Sequence, residues 1–312
     1  MNETQSTVQP SADPGSRPLL ALKGFTKSFG PVEALKDVEL NVVPGEVVAL
    51  VGDNGAGKST LIKAISGAQP PDSGSASWEG RPVRLQTPHD ATSIGIATVY
   101  QDLALAENLD VVANLFLGQE IPRRLPLPKR LQWLRRLRPR KPSWLRLPWP
   151  KRFERFKPRW PEVLKPRPRV LDETAMEKKA VELLSSLGVT TLRSVRTEVG
   201  MLSGGQRQAV AIARSLLGDP KLVMLDEPTA ALGIVQTAQI LKLIERLRDR
   251  KLGVIVISHN RANVFEVADR IAVLRLGRLA ATFDANESTR EQIVAAITGA
   301  DVTDRNTEEN PL

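Results

Sequence analysis

The chain has 312 residues, 41% of them hydrophobic, which is enough to bury the core of one large α/β domain or of two small ones. It contains no cysteine, so disulfides and thiolate metal sites are excluded. No run of 18 apolar residues occurs along the chain. We therefore expect any work at a membrane to be done through a partner.

The net charge of +9 comes from one segment. Residues 122–169 contain 18 Lys and Arg against two acidic residues, a net +16, which leaves −7 for the rest of the chain. The segment also holds 11 prolines and four of the five tryptophans, and prolines at this spacing predict no regular structure. Three interpretations stay open: a solvated disordered insertion, an arm that contacts anionic lipid headgroups or a partner that binds basic segments, and a contact with RNA or DNA.

Both ends of the chain are polar. Residues 1–18 lack an apolar stretch, so we expect a disordered N-terminus that is neither a signal peptide nor a membrane anchor. Residues 301–312 are expected to form a disordered tail.

The first elements predict a small antiparallel sheet. Strand-like runs cover residues 19–25, 33–42 and 46–51, with turn signals at Gly30-Pro31 and Pro44-Gly45. Phe29 lies just before the first of these turns. Two interpretations of its ring are open: a core side chain at a corner of the sheet, and an exposed face on which a nucleotide base stacks.

The third strand-like run leads into a phosphate-binding loop. Residues 52–59 fit the pattern G-x-x-x-x-G-K-[ST], and the apolar residues that follow predict a helix packed against a sheet. Glycines let the backbone wrap closely around an anion, Lys58 would reach the β- and γ-phosphates, and Ser59 would ligate Mg²⁺. The predicted nucleotide-binding residues of this loop are Gly52, Asp53, Asn54, Gly55, Ala56, Gly57, Lys58, Ser59 and Thr60.

Strands and helices alternate through most of the remaining chain. After an irregular hairpin at 74–85, strands are predicted at 95–100, 221–227, 254–258 and 271–274. Helices are predicted at 172–187 and 234–250, and two further helices are predicted to end at residues 217 and 269. Such alternation builds a mostly parallel α/β sheet, which binds its ligand at the carboxyl ends of the strands.

Polar side chains follow the ends of three of these strands. Asp226 would hold Mg²⁺, and Glu227 beside it would orient or deprotonate an attacking water molecule. His259 would donate to the γ-phosphate, and Gln101 would contact both Mg²⁺ and the water. We therefore predict Glu227, His259 and Gln101 as catalytic residues and Ser59, Gln101 and Asp226 as magnesium ligands.

With these motifs the chain resembles the ATP-binding cassette ATPases of ABC transporters, from about residue 19 to residue 299. The corresponding parts are 52–59 for the Walker A motif, 222–226 with Glu227 for the Walker B motif, 202–206 (Leu-Ser-Gly-Gly-Gln) for the signature, Gln101 for the Q-loop, His259 for the switch histidine and Phe29 for the aromatic that stacks on adenine.

The resemblance implies a P-loop ABC ATPase of the α/β class. Its cassette would cover residues 19–300, with a mostly parallel sheet core, an N-terminal antiparallel β subdomain and a helical subdomain at about 102–205. The basic insertion at 122–169 would lie within that helical subdomain, in the region that family members use to contact the membrane permease.

The family further implies two cassettes that face each other head to tail, with ATP and Mg²⁺ bound between them. A chain with one cassette would pair most simply with itself, as a homodimer. The phosphate loop of one copy would face the signature of the other, at a helix N-terminus whose N–H groups suit a phosphate. The signature residues predicted to bind the nucleotide are Ser203, Gly204, Gly205 and Gln206.

Three stretches are similar in sequence to the bacterial monosaccharide importers of the ribose, xylose and fructose kind, in particular those with a single cassette. They are Gly-Asp-Asn-Gly-Ala-Gly-Lys-Ser-Thr at 52–60, Val-Tyr-Gln-Asp-Leu-Ala-Leu at 99–105 and Ile-Ser-His-Asn at 257–260. This similarity implies permease subunits and, through them, a periplasmic or extracellular sugar-binding protein as partners. It also implies a peripheral position at the cytoplasmic face of the cell (inner) membrane. Nucleic acid is not expected as a partner in this interpretation.

One residue departs from the family pattern. Gly233 occupies the D-loop position where most cassettes have aspartate, which affects the usual communication across the dimer.

Two other functions are alternatives: a soluble ABC-type ATPase that acts on RNA or ribosomes through the basic insertion, and a non-catalytic regulatory cassette. The intact Lys58, Asp226, Glu227 and His259 argue against the second.

Overall fold

The structure is a computed structural model that describes residues 17–124 and 169–300. The segments 1–16, 125–168 and 301–312, on which the predictions for the termini and most of the insertion rest, lie outside the described residues. Within residues 17–124 and 169–300, no helix is long and apolar enough to cross a membrane.

The described elements are twelve strands and eight α-helices, with one short 3₁₀ helix at Val199–Met201. In chain order the strands are β1 (Leu20–Phe29), β2 (Val32–Val42), β3 (Val47–Val51), β4 (Ser73–Trp78), β5 (Arg81–Val83), β6 (Ile96–Val99), β7 (Pro122–Arg124), β8 (Arg169–Leu171), β9 (Leu222–Asp226), β10 (Gly253–Ile257), β11 (Arg270–Arg275) and β12 (Arg278–Asp284). The helices are α1 (Lys58–Ile65), α2 (Pro88–Ser93), α3 (Val111–Phe116), α4 (Glu173–Ser186), α5 (Gly204–Ser215), α6 (Ile234–Asp249), α7 (Arg261–Val267) and α8 (Arg290–Thr298).

Two sheets confirm the predicted fold class. The first is antiparallel, with the strand order β2-β1-β4-β5. The second has the order β12-β11-β3-β10-β9-β6, and all its pairs are parallel except β11 with β12. The chain is therefore an α/β protein with a mostly parallel core and an N-terminal antiparallel sheet. The prediction that the run at 46–51 belongs to the antiparallel sheet is wrong, because β3 pairs in parallel with β10 and β11.

Apolar side chains cover both faces of the parallel sheet, and β3 illustrates the arrangement. Val48 and Leu50 belong to a buried cluster that includes residues of α1 and of the antiparallel sheet. Ala49 and Val51 belong to a second cluster with residues of α7 and α8. Because both faces are covered, β3, β9 and β10 are buried at every position, and their sequences are continuous apolar runs apart from the terminal Asp226.

The parallel register brings the carboxyl ends of several strands to one edge of the sheet. Ile257 pairs with Asp226 of β9 and with Leu50 of β3. On the other side of β9, Leu225 pairs with Val99 of β6. The residues that follow these strands, among them the phosphate loop and the predicted polar side chains, therefore lie at the same edge.

Four elements carry no sequence-based prediction: α2, α3, β12 and α8. For two of them the sequence does contain a helix-start signal, because α2 and α8 each begin with a capping box. Thr87 and Asp90 form the first box, and Thr289 and Gln292 form the second.

The prediction that residues 122–169 contain no regular structure is wrong at both ends of the segment. β7 and β8 form a two-stranded antiparallel ribbon in which Pro122 pairs with Leu171 and Arg123 with Val170. Proline is tolerated here because Pro122 is the first residue of an edge strand. The chain thus enters and leaves the 125–168 segment at neighbouring positions.

Contacts divide the chain into two compact units. One comprises the residues up to Leu115 and from Ala180 onward, and it contains both large sheets. The other comprises Phe116–Lys179 and contains the ribbon. The predicted helical subdomain at about 102–205 stays a prediction.

A buried ion pair in the larger unit joins Glu46 and Arg270, which are far apart in the sequence. The guanidinium of Arg270 donates to both carboxylate oxygens of Glu46, at 2.6 Å from Nε and 3.0 Å from Nη2. It also donates to the side chain and carbonyl of Asn41 at 3.0 Å and 2.6 Å. Both charged side chains are buried, so removal of one partner leaves the other charge in a poorly solvated position.

Replacing Glu46 with alanine is therefore expected to lower the free energy of unfolding by about 3 kcal/mol, because Arg270 stays buried without its carboxylate. Urea denaturation of the purified protein measures this change. Lys221→Ala is the matched control, since it breaks an exposed ion pair with Glu79 and should cost about 1 kcal/mol or less. Equal effects of the two substitutions would contradict the interpretation of the buried pair.

Candidate functional site

The phosphate loop connects β3 to α1, and three of its glycines have positive φ angles. The values are 151° at Gly52, 82° at Gly55 and 105° at Gly57, a region that other residues seldom adopt. A Cβ atom would lie 2.1 Å from the carbonyl oxygen of Leu274 if placed at Gly52, and 2.5 Å from that of Ala34 if placed at Gly57. Both backbone conformation and close packing therefore require glycine at 52 and 57.

Lys58 is the first residue of α1, and its side chain folds back over the loop. The residue is 6% exposed, and Nζ donates to the carbonyl oxygens of Gly52 at 2.7 Å and Asp53 at 2.9 Å. Burial lowers the pKa of the ammonium group, while the negative charges of Glu227, Asp53 and Asp226 oppose that shift. The loop thus holds a buried cation beside two carboxylates at the edge of the sheet.

Asp226 and Glu227 lie at the end of β9 and have different surroundings. Burial raises the pKa of the Asp226 carboxyl, against the nearby positive charges of Lys63, Lys58 and His259. Burial also raises the pKa of Glu227, against the charge of His259. Two acidic groups near a lysine, both destabilised in their charged forms, are typical of a site that binds a cation or accepts a proton.

Glu227 has an unusual backbone conformation. Its φ angle is +52°, uncommon for a non-glycine residue, and its N–H donates to the carbonyl of Ile257 at 3.1 Å. Oε1 lies 3.0 Å from Nε2 of His259, but the geometry is not that of a hydrogen bond, and this buried oxygen has no hydrogen-bond partner in the described chain. A strained acidic residue with an unsatisfied buried oxygen suits a group that accepts a proton from a ligand or a water molecule.

These side chains surround one cavity of about 340 Å³ at the carboxyl edge of the sheet. The structure brings together eleven predicted site residues there: Phe29, Asn54, Gly55, Gly57, Lys58, Ser59, Thr60, Gln101, Asp226, Glu227 and His259. Ala34 and Ile257 also line it, and neither was predicted. Both are small or apolar residues in strands, so their types carry no signal of a site.

The remaining residues of the phosphate loop lie next to this cavity. Gly52 and Asp53 line a neighbouring cavity of about 160 Å³, together with Ile297 of α8. Ala56 is buried, and its N–H donates to the carbonyl of Asp53 at 3.1 Å within the loop itself.

Phe29 lies at the end of β1 and is 45% exposed. Its ring lines the cavity and stacks against Nζ of Lys27, which lies 5.8 Å from the ring centre. The interpretation as a plug of the core is therefore wrong, and the exposed ring is free to stack on a flat ligand.

The signature residues do not line the large cavity. Ser203 begins α5 as its N-cap, accepting from the N–H of Gln206 at 3.3 Å, while Oε1 of Gln206 accepts from the N–H of Ser203 at 2.9 Å. Nε2 of Gln206 donates to the carbonyl of Thr191 at 2.8 Å. A Cβ atom at Gly205 would lie 2.9 Å from Cβ of Gln236, so this glycine lets α5 pack closely on α6.

Gly233, the departure from the family pattern, is the N-cap of α6. Its φ angle of −72° is ordinary, and a Cβ atom there would meet nothing closer than 4.0 Å. Neither backbone nor packing therefore requires glycine at this position, and the structure offers no other reason for it.

Mg²⁺ fits the donor groups of the cavity. A hydroxyl (Ser59), an amide (Gln101) and a carboxylate (Asp226) line it, and Mg²⁺ prefers such oxygen ligands. Across residues 17–124 and 169–300, no cluster of three or more His, Cys, Asp or Glu side chains forms a metal site by itself. Mg²⁺ is commonly bound through one or two carboxylates together with the phosphates of its substrate, and Asp226 supplies such a carboxylate here.

A hairpin that the sequence patterns did not predict supports the phosphate loop from behind. The turn between β11 and β12 contains Leu276 and Gly277, both with positive φ angles. The N–H of Gly277 donates to the carbonyl of Ala56 at 3.1 Å, and its carbonyl accepts from the N–H of Lys36 at 2.7 Å. The signal was the Leu-Gly pair directly after an apolar strand.

Comparisons with known proteins agree with this geometry. The family model described as "ABC transporter" matches residues 35–230. The chain is 41% identical to the fructose import ATP-binding protein FrcA of Rhizobium meliloti, over 91% of this chain and 95% of that protein. It is 38% identical to the xylose/arabinose import ATP-binding protein XylG of Sulfolobus acidocaldarius, over 90% and 94% of the two chains. The ribose import ATP-binding protein RbsA 1 of Rubrobacter xylanophilus is 35% identical, but the match spans only 48% of it.

Solved structures give the same result for the fold. A crystal structure of the ADP conformation of an ATP-binding cassette of an ABC transporter superposes with a TM-score of 0.65 at 24% identity, over 91% of this chain and 96% of that chain. A dimeric cassette in a post-hydrolysis state, bound to ADP and Pi, superposes with a TM-score of 0.60 at 25% identity, over 85% and 98%. With its phosphate loop, its paired carboxylates and its signature in these positions, the chain belongs to the ABC transporter family as one of its ATP-binding cassettes.

Proposed function

We propose that this chain is the ATP-hydrolysing subunit of an importer of a monosaccharide. The convergence of Lys58, Asp226, Glu227 and His259 in one cavity is the observation that carries the enzymatic part. The transport part is supported by relatives of nearly the same length, whose names assign them to import of fructose and of xylose or arabinose.

The residues of the cavity have separate roles in ATP hydrolysis. Lys58 exchanges its two carbonyl partners for phosphate oxygens and stabilises the charge on the transferred group. Glu227, with its raised pKa and free oxygen, orients the attacking water and takes its proton. His259, at the cavity wall, donates to the γ-phosphate, and Phe29 stacks on the adenine. Ser59, Gln101 and Asp226 would hold Mg²⁺, which would neutralise part of the phosphate charge.

A second copy of the chain completes this site. The N-terminus of α5 consists of Ser203, Gly204 and Gly205. These residues do not line the cavity of their own chain. Helix N-termini attract phosphate groups through their free N–H groups and dipole. We therefore assign the signature to the ATP of the opposite copy in a head-to-tail homodimer; that such a cassette forms a dimer is supported by the dimeric cassette bound to ADP and Pi.

The complete importer would contain permease subunits in the membrane and a sugar-binding protein outside it. The chain would act from the cytoplasmic face of the membrane as a peripheral subunit. The competing function, a soluble ATPase that acts on RNA through the basic insertion, is not favoured, because the matched relatives are sugar import proteins.

Two measurements test this proposal. The full chain, tagged and purified from membranes of its own cells, should carry along an integral membrane protein with several spans. Cells that lack the chain should take up less labelled fructose, xylose or ribose. Recovery of RNA instead of a membrane protein, with binding that weakens at high salt and disappears when residues 122–169 are deleted, would support the competing function.

A further inference from the structure

The loop that carries Gln101 is fixed on both sides. Before it, the hydroxyl of Tyr100 donates to Oγ of Ser66 at 2.9 Å, next to the end of α1. After it, the buried side chain of Asn114 accepts from the N–H of Ala106 at 2.8 Å and donates to its carbonyl at 2.9 Å. The position of Gln101 in the cavity therefore depends on the few residues between these two anchors.

Ala104 lies between the anchors in a strained conformation. Its φ angle is +47°, which is uncommon for a residue with a Cβ atom. Its N–H donates to Oδ1 of Asp102 at 3.3 Å, a contact within the loop. Its carbonyl accepts from Nη1 of Arg214 at 2.9 Å, a contact that comes from 110 residues further along the chain. A strained backbone persists only where its surroundings hold it, and Arg214 is the holding group from outside the loop.

Arg214 belongs to α5, the helix that begins directly after the signature serine. Its side chain is partly buried and does not line the nucleotide cavity. A hydrogen bond from a charged guanidinium to a carbonyl is stronger than one between neutral groups, and the planar guanidinium fixes the direction in which its N–H groups point. The last turn of α5 is thereby tied to the loop that follows Gln101.

We propose that Arg214 is a positioning residue for ATP hydrolysis: by holding the carbonyl of Ala104, it keeps the loop in the conformation that presents Gln101 to the nucleotide. The inference rests on the proposed function, because it assigns Arg214 an effect on the same reaction. Arg214 itself does not contact the nucleotide. Its removal lets Ala104 relax to a negative φ angle and moves Gln101 away from its working position.

The test is a double-mutant cycle between Arg214 and Gln101, measured as phosphate release by the full chain with ATP and Mg²⁺. Arg214→Met keeps the apolar part of the side chain but removes the donor. It should lower kcat by about tenfold, since small misplacements of a catalytic group have effects of this size. The KM for ATP should stay within about twofold, because the phosphate loop and Phe29, which supply most of the contacts to ATP, are untouched. Arg214→Lys, which keeps a charged donor, should recover most of the activity.

Epistasis separates positioning from a general structural role. In a Gln101→Ala background, Arg214→Met should have no further effect on kcat, because the group that it positions is already absent. Arg248→Met is the matched control, since Arg248 also makes a charged hydrogen bond, to Asp269, but outside the site. Hydrogen exchange should become faster at the amides of residues 102–105 in Arg214→Met and stay unchanged in the control.

Unchanged kcat in Arg214→Met, an equal loss in the Gln101→Ala background, or unchanged exchange at residues 102–105 would overturn the inference. A wild-type chain that binds ATP but does not hydrolyse it, alone or with its membrane partner, would overturn the proposed function. The exchange experiment needs no turnover, so failure of the inference can be distinguished from failure of the proposed function.

Discussion

Replacement of Lys58 with alanine is expected to reduce ATP hydrolysis by about a hundredfold or more, the effect of removing one charge-stabilising donor from an active site. Lys58 is the one lysine or arginine among the residues that line the cavity in the described chain, and it is held by the carbonyls of Gly52 and Asp53. Alanine removes the positive charge and leaves two loop carbonyls without this donor. The affinity for ATP should therefore fall together with turnover.

Phosphate release and the binding of a fluorescent ATP analogue measure the two effects of Lys58→Ala. Lys36→Ala is the matched control, because Lys36 pairs with Glu33 at the surface and does not line the cavity. A thermal unfolding curve shows whether each variant is folded. Turnover of Lys58→Ala within about threefold of wild type, well short of the loss expected for such a donor, would remove Lys58 from the catalytic machinery.

Glu227→Gln should lose turnover by a comparable factor, about 10² to 10³, but should keep its affinity for ATP. The amide has nearly the shape of the carboxylate and cannot accept a proton. Burial raises the pKa of Glu227, which means that the charged form is costly in the folded protein. Neutral glutamine avoids this cost, so the variant should unfold at a temperature no lower than wild type.

The outcome for Glu227→Gln is decided by comparing single-turnover hydrolysis with equilibrium ATP binding. Glu33→Gln, on the surface, serves as the control for the change of charge. A Glu227→Gln chain that hydrolyses ATP at the wild-type rate would show that another group activates the water. A chain that fails to bind ATP would show that Glu227 acts in binding.

Local sequence patterns were sufficient to locate five of the six strands of the parallel sheet, all but β12, and most of the residues of the cavity. A strand buried on both faces must be apolar throughout, so Val47–Val51, Leu222–Asp226 and Gly253–Ile257 stand out in the sequence. The polar residues that follow such runs can only lie at the carboxyl edge of the sheet. Asp226, Glu227 and His259 are found there, although their individual roles stay predictions.

Features that depend on contacts between distant residues could not be predicted in this way. The carbonyl of Leu274 explains why residue 52 has no side chain, but Leu274 is distant in sequence and unremarkable in type. The hydrogen bond from Arg214 to Ala104 has no local signal either. At the two ends of the 122–169 segment, proline content suggested irregular structure, whereas residues 122–124 pair with residues 169–171 and form a ribbon.

The function of the signature is a further feature that one chain by itself does not explain. Its five residues were recognised through resemblance, and within one chain they have a local structural role, in which Ser203 and Gln206 cap a helix and Gly205 permits close packing of α5 on α6. In the described residues they do not line the cavity of their own chain. The role in ATP binding that we propose for them therefore requires a second copy.

The most direct test of the account is the oligomeric state of Glu227→Gln, measured by size-exclusion chromatography with light scattering, with and without ATP and Mg²⁺. We expect a monomer without nucleotide and a stable dimer with ATP, because the variant binds ATP at the interface and cannot hydrolyse it. Adding Ser203→Arg, which places a bulky side chain at the N-terminus of α5, should prevent the dimer while thermal unfolding remains cooperative. A Glu227→Gln chain that binds ATP and stays monomeric, or a dimer that forms equally well with Ser203→Arg, would contradict a site completed by the signature of a second copy.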